Sequence, residues 1–152
     1  MSRKFYASNQ NFLREGKIVQ ERKPVMALSN AQKEKILHLQ REELNGHYTY
    51  LKLASAIHDE HNAQIIQRIA QEELKHYQIW KRYTEAEVQP KKVHIQIYYW
   101  LAKLFGLTFG IKLMELGEEK TQQQYKELVE LIPEAKQLLK EEEKHENELL
   151  EM

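Results

Sequence analysis

The chain predicts an all-α fold, an antiparallel four-helix bundle. Three observations carry that reading. Glu outnumbers Asp 22 to 1, and there are only 5 Gly and 3 Pro, a bias toward helix interiors. Apolar residues recur at helical spacing in four separate stretches. Each of those stretches also carries glutamate within its apolar stripe, and two of them add a histidine three residues later.

Composition sets limits before any motif is read. A chain of 152 residues suits one domain with a real core. Formal net charge is zero, so no basic excess points to nucleic acid. Cysteine is absent, which excludes disulfides, thiolate metal sites and a cysteine nucleophile and fits a reducing, cytoplasmic setting. The stretch from Met1 to Lys23 is polar and has no apolar leader core. The most apolar segment, Ile97 to Met114, is interrupted by Lys103, Gly106, Gly110 and Lys112. It reads as a buried helix rather than a membrane span, which needs about 20 nearly uncharged residues.

The elements follow in order. Residues 1–28 show no sustained periodicity and form an N-terminal arm containing Pro24; the bundle occupies 29–152. Ser29 to Gln32 reads as a capping box. The first helix is expected from Asn30 to His58. A polar break at His58-Asp59-Glu60-His61 follows, and a second helix runs from Asn62 to Tyr83. A loop holds Pro90 and Lys91-Lys92. The third helix is expected from His94 to Leu131, with Gly106 or Gly110 kinking or interrupting it. Pro133 suits the first position of a fourth helix running to Met152.

Alternating steps of four and three track one helix face. In the first helix the stripe is Ile36, Gln40, Glu43, His47, Tyr50, Ala54 and Ile57; in the second it is Ile66, Ile69, Glu73, His76, Trp80 and Tyr83. The third gives Ile111, Glu115, Glu118, Gln122, Tyr125 and Val129, and the fourth Ala135, Leu138, Glu142, His145 and Leu149. Each motif alone has a plainer explanation. Random placement of 22 Glu and 7 His yields about one Glu-x-x-His. Glu142 lies in the run Glu141-Glu142-Glu143, usually a solvated face, and Glu43 reads equally as a rim charge. His58, Asp59 and His61 read as loop residues.

Placement changes the balance. Four core-facing carboxylates repel one another, and an unpaired buried carboxylate is very costly. Two divalent cations resolve both problems, with neutral imidazoles completing the shell. The expected ligands are Glu43, Glu73, His76, Glu118, Glu142 and His145, with Glu115 as a further candidate. Tyr50 and Tyr125 each follow a lone glutamate by seven residues. They and His47 are expected beside the ligands rather than on the metal. Oxygen and nitrogen donors suit iron, with manganese or zinc as other occupants.

These segments carry a resemblance. Glu43 with Tyr48-Thr49-Tyr50, Glu73-Leu74-Lys75-His76, Gly117-Glu118 and Glu142-Glu143-Lys144-His145 resemble the rubrerythrin branch of the ferritin-like superfamily over residues 36–152. Asp59-Glu60-His61-Asn62-Ala63 and Leu113-Met114-Glu115-Leu116-Gly117-Glu118 bring the chain closer to the rubrerythrin-like domain fused to vacuolar-iron-transporter-type membrane proteins. The resemblance implies a ferritin-like bundle, two iron ions, Fe(II) oxidation or peroxide reduction, and a membrane transporter domain following in a longer, membrane-tethered protein. It also implies an alternative role in iron sensing or delivery. Thr121 stands where rubrerythrins carry a further glutamate, and without cysteine there is no rubredoxin-like module, so electrons must come from a separate donor. The apolar Ile97–Met114 segment exceeds what one bundle needs and predicts a homodimer.

Overall fold

A computed structural model describes residues 28–152, apart from the side chains at positions 115 and 117–120. Residues 1–27, nearly all of the expected arm, lie outside the described residues. Among the described residues there are five helices and no strand: α1 Asn30–Ala54, α2 Glu60–Thr84, α3 Lys92–Phe105, α4 Leu107–Leu128 and α5 Pro133–Leu150.

Local chemistry sets most of the helix ends. The Ser29 hydroxyl accepts from the Gln32 amide, and the Gln32 side chain accepts from the Ser29 amide, which completes the expected capping box. α1 ends four residues earlier than expected. Its last turn tightens as Ala56 donates to Leu53 and Ile57 to Ala54, freeing the chain to turn at His58. Asp59 lies in the loop, as expected, and serves there as the N-cap of α2, which begins two residues earlier than expected; its side chain accepts from the Asn62 amide at 2.8 Å. His61 therefore falls in the first turn of α2. Pro133 occupies the start of α5, where its missing N–H costs nothing.

The long third helix is interrupted at Gly106, giving α3 and α4. Gly106 has φ 96° and ψ 159°, a conformation open essentially to glycine alone. α3 folds back on α4 there. A Cβ on Gly110 would lie 2.4 Å from the Ala102 Cβ, so the two helices approach through a missing side chain. No described helix is long and apolar enough to cross a membrane.

Most buried apolar side chains form two layers, with a smaller cluster of Leu44, Tyr77 and Val88 apart from them. One layer contains Tyr50, Leu53, Ile66, Ile69, Ile111, Met114 and Leu149. The other contains Ile36, Leu39, Trp80, Tyr125, Leu128, Ile132 and Leu138. Early α1 thus shares a layer with late α2, and late α1 with early α2, so these helices run antiparallel; α5 packs against α4 and α2 and points in the same sense as α1. Each fully buried Leu or Ile stabilises the fold by about 1.5–3 kcal/mol. Between the layers, at mid-helix, sit Glu43, Glu73, His76, Glu142 and His145, all buried.

Replacing Gly110 by alanine should destabilise the protein by about 1–3 kcal/mol through overpacking against Ala102. Urea unfolding would measure it, and an unchanged midpoint would contradict the close α3–α4 approach.

Candidate metal centre

The three-residue spacing puts Glu73 and His76 on one face of α2, and Glu142 and His145 on one face of α5. α1 adds Glu43. Each of these residues is no more than 4 % exposed. One ligand atom from each of Glu43, Glu73, His76 and Glu142 lies within 4.8 Å of the others, so this group can hold a metal ion. His145 joins it: its Nδ1 is 3.2 Å from Glu73 Oε1 and 3.7 Å from Glu142 Oε2.

The two histidines are arranged crosswise. His76 on α2 sets Nδ1 2.8 Å from Glu142 Oε1 on α5, and 3.6 Å from Glu43 Oε2. Its Nε2 meets Glu141 Oε2, also on α5, at 2.8 Å. His145 on α5 mirrors this toward α2, with Nε2 2.6 Å from Glu72 Oε2. The imidazoles stack with centroids 5.7 Å apart and planes at 19°. A carboxylate on Nε2 accepts that N–H, so in the neutral ring Nδ1 keeps its lone pair and faces inward. Metal-ligating histidines have this arrangement, and the outer carboxylate fixes both tautomer and ring angle.

The inner atoms are otherwise unsatisfied. Glu73 Oε1, His76 Nδ1, Glu142 Oε1 and His145 Nδ1 are buried without a hydrogen-bond partner. The short Nδ1–carboxylate distances lack hydrogen-bond alignment, so they are charge contacts only. Buried polar atoms are almost always bonded; four orphans converging on one space are what a cation would satisfy. Gly46 contributes room: a Cβ there would come within 3.0 Å of Glu73 Oε2.

Without a cation, protons carry the balance. Burial pulls His76 down, but the Glu142 and Glu43 carboxylates outweigh it and push it up to about 12. His145 is likewise pushed up to about 10, with Glu142 and Glu73 overcoming burial. Burial favours a proton on Glu142, yet the two imidazoles hold it down to about 2. Glu43 is raised chiefly by burial. Glu73 is raised well above the usual range by burial and by repulsion from Glu142 and Glu43.

The other expected site residues fall as follows. Glu115 and Glu118 lie on α4, which packs against α1 and α5; their side chains lie outside the described residues. His47 is a core histidine whose Nδ1 contacts the Ala70 carbonyl of α2 at 2.6 Å. Tyr50 is fully buried in one apolar layer. Tyr125 reaches the ligands through Trp80, whose Nε1–H is shared between Glu43 Oε1 at 3.2 Å and the Tyr125 hydroxyl at 3.1 Å.

Trp80, Glu72 and Glu141 were not among the expected site residues. Glu72 is itself held by Arg68, which also binds Glu148 at 2.6 Å. A signal for the two glutamates was present: both motifs read Glu-Glu-x-x-His, the first glutamate of each doublet preceding the inward-facing one. Nothing in the sequence pairs Trp80 with Glu43, because that contact joins two helices. Compared with protein-family models, curated proteins and solved structures, the chain has no match. The site's own chemistry therefore carries the functional reading.

Replacing both Glu72 and Glu141 by glutamine should lower affinity for Zn(II) by about 10–100-fold, read by calorimetry; wild-type affinity would show that these carboxylates do not orient the histidines. Metal must also displace a proton from each imidazole at neutral pH. Titration in buffers of differing ionisation enthalpy should therefore show proton release and affinity rising with pH. The metal-free fold should behave oppositely. Its raised imidazoles contribute stability that is full below about pH 6.5 and is lost as pH rises through about 10 for His145 and about 12 for His76. Thermal melts of metal-free protein that gain stability between pH 8 and 11 would contradict that sign.

Proposed function

We propose that this cluster is the ligand shell of a two-metal carboxylate centre, in a ferritin-like four-helix bundle made by α1, α2, α4 and α5. In this reading the chain is a non-haem di-iron oxidoreductase of the rubrerythrin type, acting in Fe(II) oxidation or peroxide reduction. The observation that carries it is the set of four buried atoms on two Glu-x-x-His pairs, all without hydrogen-bond partners. Glu43 with Glu73 and His76 would hold one iron, and Glu118 with Glu142 and His145 the other. Such a pair of metals supplies electrons two at a time to dioxygen or peroxide.

The protein's own part is positioning and exclusion. Glu72 and Glu141 hold the Nε2 protons outward, so both Nδ1 atoms face the site. Trp80 steadies one oxygen of Glu43 and leaves the other toward His76. Gly46 leaves space beside Glu73. The apolar layers on either side keep bulk water from the ligands.

A second reading, an iron-sensing or iron-delivering module, has one observation in its favour. The imidazoles and carboxylates contact one another directly, so metal can leave without abandoning bare charge. The two readings separate on turnover. Fe(II)-loaded protein given oxygen or peroxide should oxidise its iron, with growth of near-ultraviolet absorption. Reversible release without oxidation would favour the sensing module, and wild-type protein that binds no Fe(II) would overturn both.

The chain is also proposed to pair with a second copy through α3. Val93, Ile97, Trp100 and Leu104 form one exposed stripe at helical spacing, extended by Phe105 and Phe109; each is 45–75 % exposed. Together they offer several hundred Å² of apolar surface, more than monomers usually leave open and of the order one partner contributes to a stable interface. Light scattering should give a dimer, and W100E with L104E a monomer that still binds metal; monomeric wild type would overturn the pairing.

A further inference from the structure

Trp80 occupies a position the ligand shell alone does not require. It is fully buried, donates to a carboxylate of the proposed centre and stacks on Tyr125 with centroids 5.2 Å apart. Its other aromatic neighbour is Tyr83, one turn further along α2, with ring centroids 6.4 Å apart. Tyr83 is only half-buried, and its hydroxyl donates to Glu134 in the first turn of α5. Arg82 lies 3.6 Å from the same carboxylate. An unbroken line thus runs from Glu43 through Trp80 and Tyr83 to the surface. No cysteine is available to the chain for a redox cluster of its own, so any electron reaching the centre must cross this protein wall.

We infer that Trp80 and Tyr83 form an electron relay connecting the buried centre to a one-electron donor at the late-α2, early-α5 surface. This rests on the di-iron reading. Aromatic rings give up one electron more readily than aliphatic side chains, and their close spacing turns one long transfer into two short ones. Once peroxide had oxidised the centre, Trp80 would give it one electron while keeping its N–H on Glu43. It is refilled by one electron from Tyr83, whose phenolic proton passes to Glu134. The external donor, a reduced flavin or iron–sulfur protein, returns an electron to Tyr83 as the proton moves back. The net change is one electron moved inward, with no proton consumed. Burial and the neighbouring Glu134 hold the Tyr83 phenol protonated at rest, so the proton is present to be passed.

The test mixes Fe(II)-loaded protein anaerobically with peroxide and then with reduced flavin mononucleotide, followed by stopped-flow absorption. Tyr83→Phe keeps the ring's shape and does not touch the ligands, so iron stoichiometry should match wild type while reduction slows by about tenfold or more. Tyr99→Phe, on α3, should change nothing. The second readout is a freeze-quenched electron paramagnetic resonance spectrum after peroxide is added to Fe(II)-loaded protein without donor. Wild type should show an aromatic radical whose tyrosine component is lost in Tyr83→Phe, and whose whole signal is lost in Trp80→Phe. Normal iron binding with unchanged reduction in Tyr83→Phe and no aromatic radical in wild type would overturn the relay while leaving the di-iron reading intact. Wild type that fails to bind iron would instead overturn the di-iron reading.

Discussion

Burying five ionisable side chains in one layer imposes the condition on which the rest of the molecule depends. Glu43, Glu73, His76, Glu142 and His145 sit between two apolar layers and cannot be left as isolated charges. Protons supply the compensation without a cation, and that state costs alignment: the Nδ1–carboxylate contacts are close but angled away from hydrogen bonds. A cation at the centre would replace repulsion among carboxylates with attraction to all of them. The outer ring of Glu72, Glu141 and Arg68 is organised around the same condition, because it decides which nitrogen of each histidine faces inward.

The fold's helical character and its core were legible because the signals were periodic and local. Stripe positions such as Ile36, Tyr50, Ile66, Trp80 and Leu138 are buried as the spacing required, and Glu43, Glu73 and Glu142 are buried with them. Ser29, Gln32 and Pro133 act at helix ends through contacts a few residues long, so sequence alone exposes them. Asp59 lies in the loop as its polar surroundings suggest, but the same cluster hides where α2 begins: only the backbone shows that the Asp59 carboxylate caps the next helix and that His61 already belongs to its first turn.

Long-range partners were less legible. The Trp80 contact with Glu43 joins residues far apart in sequence, and no period announces it. Glu72 and Glu141 were hidden in charge-rich runs, where a carboxylate bonded to a buried histidine looks the same as one facing water. The division at Gly106 lay between these extremes. A glycine in a long helix signals interruption, but the sharp return of α3 onto α4 depends on the small residues Ala102 and Gly110 meeting.

The crosswise brace has a consequence for how such a site can change over evolutionary time. Each histidine depends on a carboxylate carried by the other helix, so neither Glu-Glu-x-x-His motif is a self-contained unit. A substitution at 72 alters what 145 can do, and one at 141 alters 76. Sliding α2 past α5 by a single turn would break both pairs together. The brace therefore acts as a register key, and the two motifs are free to drift only as a matched set.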